Sequence, residues 1–397
     1  MESGIISMHE PFRVQSPEVL EYGFGAIDSL ADFADDLDAE TALIVTDANL
    51  VEVGVIDEPR SKLESVGFEV DVFDSIQAEP TLGNAADAAD TVAAGDYDLV
   101  VGVGGGSSLD TAKIGAALAD LDRTPWDVLG MGNIETRERP LALVPTTAGT
   151  GSEATHIGVF ADERDGGDKK VIYSDPLYAD FSAVDPALTE TMPPSVAAAT
   201  GMDALTHAVE AYVSTKRTPY TDMLARSAIE RVATALRPAV HQGTENDWAR
   251  YQMSLAATLA GQAFVNSGLG AVHALTYPLG KEYHLGHGLT NALLLPYVMA
   301  YNVPADRERF RDMARWLQPE KEEVTDPMES VEAVFSLLED VEIPTDISGY
   351  GDLDRDDFER FADIAMEKSA HNVERNPRFL DKDGIVEIFE NCYEGTY

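Results

Sequence analysis

One carboxylate and three imidazoles stand at spacings that can gather around a metal ion. Asp203 and His207 lie four residues apart in the helical stretch GMDALTHAVEAYV, so their side chains share one face. His273 opens another helical segment, AVHALTYPLG, and His287 follows fourteen residues later at a glycine-flanked turn in HLGHGLTNALLLP. A nitrogen-rich set of this kind suits a divalent ion of the Fe, Zn or Ni type, whereas Mg or Ca would prefer oxygen donors. Singly, each histidine is as readily a surface or satisfied core imidazole, and Asp203 a solvated helix residue. His284 competes with His287 as a donor, and His156 stands in a loop after a threonine-rich turn.

A second group of residues is suited to holding phosphate. VVGVGGGSSLDTAK (Val100–Lys113) places Gly104, Gly105 and Gly106 between a strand and a helix. Glycine lets the backbone approach an anion closely, and the helix start offers N–H groups and a positive dipole end. Ser107 and Ser108 add hydroxyl donors. The run does not fit G-x-G-x-x-G, because Ser107 takes the third glycine position counted from Gly102. Asp110 is either an ordinary first-turn carboxylate or a ligand contact. Asp47 ends an earlier strand, where an acid can accept from adenosine ribose hydroxyls or simply cap a turn. Pro145–Glu153 (PTTAGTGSE) is another small-residue turn after a strand, rich in hydroxyls that could line a cofactor cleft.

The elements that must carry these residues fall into two regions. Short β-branched runs at 42–46, 68–73, 97–103 and 141–145 alternate with helical segments such as 84–94 and 109–118. This alternation predicts a parallel sheet with helices on its faces. From about Ser195 the apolar period becomes helical, over 197–211, 222–236, 248–265 and 330–338. The boundary is expected at Met192-Pro193-Pro194, giving an α/β domain of residues 1–192 and an all-helical domain of 193–397. Glu163–Asp168 and Gln318–Pro327 read as exposed loops. No repeat of solenoid period and no low-complexity tract is visible.

Composition narrows the function classes. The 397 residues include 28 Lys and Arg against 71 Asp and Glu, a formal net charge of −43. Nucleic acid and anionic membrane are excluded as partners, since phosphate contacts need clustered Lys and Arg. The acid is spread along the chain, not gathered in a tail. Such self-repulsion is tolerable where salt screens it, at a Debye length of about 3 Å in molar salt. A halophilic, high-salt cytoplasm is therefore expected, with an acidic surface for a cationic partner as the alternative. The single cysteine, Cys392, permits no intrachain disulfide and no Cys-based zinc site. No apolar run reaches the roughly 18 residues of a membrane span. MESGIISMHEPF lacks the basic and apolar regions of a secretory signal, so a cytoplasmic protein is expected.

Taken in order, GGGSSLDTAK, PTTAGTGSEAT, GMDALTHAVEAY, HALTYPLGKEYHLGHGLTNALLLP and the late NPR (Asn376-Pro377-Arg378) resemble the iron-containing (group III) alcohol dehydrogenase family. FGAIDSL and ALIVTDANLVEVGV look like that family's opening, so the likeness covers nearly the whole chain. The resemblance implies the dehydroquinate synthase-like architecture, an α/β dinucleotide-binding domain and an all-α domain with the active site in the cleft between them. It implies metal ligands at Asp203, His207, His273 and His287, with the fourteen-residue spacing deciding against His284. It places NAD against Gly104, Gly105, Gly106 and Ser107, with Asp110 as a further contact. Thr146, Thr147 and Thr150 are implied along the nicotinamide half, Lys170 and Leu188 near the cofactor, and Asp47 as the acid that favours NAD over NADP.

The implied chemistry is reversible hydride transfer between NAD and a small primary alcohol or its aldehyde, with Fe(II) as Lewis acid and Zn(II) as the alternative ion. A homodimer or larger homo-oligomer is the family's habit. One departure stands out. Many members have a second histidine four residues after the first, and here that position is Tyr277. A phenol with an ordinary pKa of about 10 carries protons poorly at neutral pH. Relay through ribose hydroxyls and water, or a role for Tyr277 in shaping the substrate pocket, takes its place. The competing classes are a metal- and NAD-dependent lyase of the same fold, which regenerates its NAD within the reaction, and a silent binding protein that keeps the fold.

Overall fold

The computed structural model describes residues 11–77 and 79–397. The chain divides into two compact units: Ser16–Met192, and Pro193–Tyr397 together with the described residues before Ser16. The expected span of residues 1–192 therefore needs correction at its start. Gln15 donates its N–H to Asn266 Oδ1 (2.8 Å) and accepts from Asn266 Nδ2 (2.9 Å), which ties it to the helical unit.

The first unit is built on a sheet of β1 (Val19–Tyr22), β2 (Thr41–Val45), β3 (Glu69–Phe73), β4 (Leu99–Gly104), β6 (Leu141–Pro145) and β9 (Phe181–Val184). Its order is β1-β9-β6-β4-β2-β3, and every pairing is parallel. Both faces are covered, so the central strands are apolar without alternation. Ile44, Val101, Val103 and Val144 pack on one face with Leu30 of α1 (Ser29–Asp35) and Leu63 of α3 (Asp57–Ser65). Leu43, Val45, Val100 and Leu143 pack on the other with Val92 of α4 (Leu82–Gly95) and Leu109 and Ala112 of α5 (Gly106–Leu118). The short α2 (Ala48–Glu52) follows β2 directly.

The chain runs from β2 outward to β3, then crosses back to lay β4 on the other side of β2. This reversal is the switch point at which parallel α/β sheets open a crevice beyond their carboxyl ends. A smaller sheet, ordered β5-β8-β7, contains β5 (Gly130–Met131), β7 (Ile157–Asp162) and β8 (Asp168–Tyr173). β7 and β8 are antiparallel, so Glu163–Asp168 is the turn and first residue of a hairpin, not a free loop.

The second unit is helical throughout: α6 (Pro194–Val213), α7 (Pro219–Gln242), α8 (Asp247–Ser267), α9 (Ala271–Tyr283), α10 (His287–Asn302), α11 (Arg307–Leu317), α12 (Glu329–Asp340), α13 (Arg355–Lys368), α14 (Ala370–Arg375) and α15 (Lys382–Glu394). α6 starts at Pro194, a residue preset for the first helical position. α7 starts on a Thr218 capping box with Pro219 behind it. α6 is apolar nearly all round and correspondingly buried from Gly201 to Val213. Among the described residues no single helix is long and apolar enough to cross a membrane. α8 and α9 meet that requirement of length and apolarity only when taken together, and they are bent by 106° at the break between them.

Candidate metal centre

Three helices of the second unit bring the charged and imidazole groups together. α6 contributes Asp203 and His207 from consecutive turns, α9 contributes His273 from its first turn, and α10 begins with His287 itself. One donor atom from each of the four lies within 4.8 Å of the other three. Asp203 Oδ1 is 3.7 Å from His207 Nε2 and 3.7 Å from His287 Nε2. The His207 and His273 rings stack at 4.9 Å, and His287 meets His273 at 5.2 Å. Side-chain exposure is 3% for Asp203, 5% for His207, 7% for His273 and 42% for His287. The cluster is thus closed on the α6 side and open at α10. His284 lies outside it, exposed at the C-terminal cap of α9 with a left-handed φ of 52°.

Burial alone would push the Asp203 carboxyl up. The imidazoles of His207, His287 and His273 and a hydrogen bond from Asn291 outweigh it and hold the group below its ordinary range. α10 can come this close to α6 because residue 288 is glycine: a Cβ there would sit 2.5 Å from the Ala199 carbonyl oxygen. Two further polar side chains contact the donors, Glu210 behind His273 and Asn291 among the donor atoms themselves, with Nδ2 3.2 Å from His273 Nε2 and 3.1 Å from His287 Nε2. Glu210 Oε2 meets His273 Nδ1 at 2.6 Å. Asn291 donates to Asp203 Oδ1 (2.7 Å), while its own Oδ1 accepts from Thr276 (2.5 Å). Three imidazoles and one carboxylate, mostly dry and backed by hydrogen bonds, fit a divalent transition ion.

In the sheet unit the glycine-rich turn closes the carboxyl end of β4, and Asp47 stands at the end of the neighbouring β2. The N-terminus of α5 has no side-chain cap, since Gly105 fills that position. Space for the turn depends on the missing side chain at Gly106, whereas one at Gly105 would make only ordinary contact. A Cβ on Gly106 would lie 2.9 Å from the Thr150 methyl, and one on Gly105 would lie 3.5 Å from Thr147. The glycine turn and the threonine turn therefore pack face to face. Thr146 is buried, while Thr147 and Thr150 are half-exposed. Asp47 caps α2, accepting from Asn49 N (3.0 Å) and Leu50 N (3.2 Å). Leu188 is buried in the core beneath the sheet.

Residues 17–186 match the sequence model of the iron-containing alcohol dehydrogenases, and residues 197–393 match the model of that family's C-terminal domain. This chain belongs to the iron-containing alcohol dehydrogenase family. It is 40% identical to long-chain-alcohol dehydrogenase 1 of Geobacillus thermodenitrificans, over 97% of each chain. The crystal structure of a 1,3-propanediol oxidoreductase superposes with a TM-score of 0.91 at 35% identity, covering 96% of this chain and all of that one (100%). An archaeal halo-thermophilic alcohol dehydrogenase from a Red Sea brine pool is 27% identical, with a TM-score of 0.86 over 97% of this chain and 100% of that one.

Two residues expected at the dehydrogenase's cofactor are engaged elsewhere. Asp110 faces into the protein: Oδ1 accepts from Ser152 Oγ (2.5 Å) and Lys113 Nζ (3.1 Å), and Oδ2 accepts from Val159 N (3.0 Å). Lys170 is on β8, and its ammonium pairs with Asp165 at 2.6 Å across the hairpin turn. The residues sequence reasoning missed are Glu210, Asn291 and Lys113. Glu210 is seven residues beyond Asp203 and Asn291 four beyond His287, both helical same-face spacings that were available as a signal. Lys113 is fully buried, with Nζ held by Asp110, Ser152 (2.6 Å), Thr155 (3.2 Å) and the Ile157 carbonyl (2.8 Å). Burial pushes its pKa down, against the attraction of Asp110.

Proposed function

We propose that this dehydrogenase interconverts a small primary alcohol and its aldehyde with NAD(H), using one divalent ion held by Asp203, His207, His273 and His287. The observation that carries the proposal is the convergence of those four donors within 4.8 Å. A bound ion would supply Lewis acidity toward the alcohol or carbonyl oxygen, and NAD would supply the hydride acceptor. The chain's own part is to hold and orient. The three imidazoles contribute no negative charge and the single carboxylate only one, so a bound divalent ion would keep a net positive charge that favours an anionic oxygen. Fe(II) is favoured by family membership, with Zn(II) as the competing ion.

For NAD, the glycine turn Gly104–Ser107 and the uncapped start of α5 would take the pyrophosphate. Thr146, Thr147 and Thr150 would line the same crevice, above a wall to which Leu188 belongs. Asp47 would accept from the adenosine ribose and repel a 2′-phosphate. Asp110 and Lys170 would be further contacts, each with a charged group that also holds a partner within the sheet unit. Tyr277 stands one helical turn beyond His273, half-buried, with Lys281 Nζ 6.0 Å from its ring. It is assigned to shaping the substrate pocket. The charge of −43 supports a protein adapted to high salt. Homo-oligomerisation and a cytoplasmic location complete the proposal.

The test is a panel of small alcohols and aldehydes with NAD and NADP in molar KCl, on metal-stripped and Fe- or Zn-reloaded enzyme. NADH accumulation with an alcohol, present only after reloading, is the expected result. Metal- and NAD-dependent turnover without net NADH would favour the lyase. Failure to retain any metal would sink the site.

A further inference from the structure

We infer that Glu210 is a positioning residue for the metal centre, acting through His273 and through the start of α9. The inference rests on the proposed metal site and goes beyond it, because Glu210 is not one of the four donors. Its carboxylate is buried in α6, between His273 and the backbone of α9. A carboxylate only accepts, so the 2.6 Å contact requires His273 Nδ1 to carry the proton. The lone pair then belongs to Nε2, the nitrogen that faces Asn291 in the cluster, 3.2 Å from its Nδ2. Glu210 thereby selects the tautomer able to bind an ion and holds the ring plane.

The other oxygen does separate work. Oε1 accepts the Val272 N–H at 2.6 Å, one of the N–H groups left without an intrahelical partner at the start of a helix. Gly270, the N-cap of α9, has no side chain to do this. A Cβ on Gly270 would lie 3.1 Å from Glu210 Oε1, so a side chain there would press the carboxylate back by a few tenths of an ångström. One carboxylate on α6 therefore sets both where α9 begins and which way its third residue, His273, points. Asp203 and His207 are on the same helix as Glu210, so the carboxylate refers α9's donor to the frame of α6.

Glutamine at this position is nearly isosteric but has a single oxygen. If that oxygen takes the Val272 N–H, the amide NH2 faces His273 Nδ1, which must then accept, and the proton moves to Nε2. If it takes His273 instead, the NH2 opposes the Val272 N–H. The first arrangement keeps both hydrogen bonds but leaves His273 with its proton on Nε2, the wrong tautomer for an ion; the second keeps the tautomer and loses the Val272 bond.

The test compares wild type, Glu210→Gln and Glu210→Asp by chelator competition for Co(II) and Zn(II) on folded metal-free protein, with the Co(II) d–d spectrum as a second readout. Far-ultraviolet circular dichroism checks the fold. The expected result is a 10- to 100-fold loss of affinity in Glu210→Gln, the range seen when a partner behind a ligand is removed, with a changed Co(II) spectrum. Glu210→Asp, which keeps the charge but is one carbon shorter, should fall between. Wild-type affinity and spectrum in Glu210→Gln would overturn the inference and leave the metal site standing. If wild type itself bound neither ion, the underlying site would fall and the inference with it.

Discussion

Replacing Lys113 by methionine should cost this protein stability and cofactor affinity together. The lysine is 0% exposed, and its ammonium joins α5 to the segment after the threonine turn through Asp110, Ser152, Thr155 and the Ile157 carbonyl. Methionine fills much of the same volume but supplies no donor. Asp110 would keep Ser152 and the Val159 N–H yet lose its counter-charge. Breaking a buried pair by removing one partner costs about 3–5 kcal/mol. Relief of the lysine's own desolvation, visible in its lowered pKa, offsets part of this, leaving about 3 kcal/mol. At a urea slope of about 2 kcal/mol/M, the midpoint should fall by about 1.5 M. The assay is urea denaturation in constant molar KCl, with an NAD titration under conditions where the variant is folded. NAD affinity should drop several-fold, because α5 starts at the glycine turn and Ser152 borders the threonine turn. A midpoint change below about 0.3 M, corresponding to about 0.6 kcal/mol, would refute this account of the network. The double variant with Asp110→Asn should be less damaged than the sum of the singles, since it leaves no unpaired charge.

His207→Ala should abolish both metal retention and turnover, measured by metal analysis and NADH formation; wild-type turnover would refute the site. Dialysis from molar KCl into dilute buffer should unfold the protein, followed by circular dichroism; unchanged structure would count against high-salt adaptation and for a cationic partner. Tyr277→Phe should alter KM for the alcohol with kcat kept within about tenfold; a loss of 100-fold or more would make the phenol part of the proton path, where general acid–base catalysis has about that size. Tyr97 donates to Asp71 at 2.5 Å, and that bond, aided by burial, raises its pKa to about 12. With the folded value above the unfolded one, the contribution is complete below pH 10.0 and disappears as pH rises toward about 12. Tyr97→Phe should remove this part of the alkaline instability, read from midpoints at rising pH.

Much of the architecture could be read in the chain because parallel strands buried on both faces have a direct signature. The runs at β2 and β4 are rich in β-branched residues and followed by helices, while β6 (LALVP) is apolar throughout and leads into the threonine turn. β1 and β9 give weaker signals, being four residues each, and β1 (VLEY) alternates half-exposed and exposed. The β7–β8 hairpin was hidden because β8 (DKKVIY) begins with charged residues and its turn, Glu163–Asp165, is acidic. The four donors were legible as an ordered set of motifs, and the structure gathers them. Lys113 was not, because apart from Asp110 its partners lie about forty residues away, at Ser152, Thr155 and Ile157. On a helix of ordinary composition nothing distinguishes a lysine destined for burial from a solvated one.

α6 fixes the Asp203–His207 separation as firmly as any two points on a ruler, since both sit on one unbroken helix. His273 and His287 belong to other helices, and each stands at or near the beginning of its own. Thermal or mutational loosening of the unit will therefore not dilate the donor cage evenly. It will part along one seam, with α9 and α10 leaving α6, so ion release will report the first slippage between helices well before any of them melts.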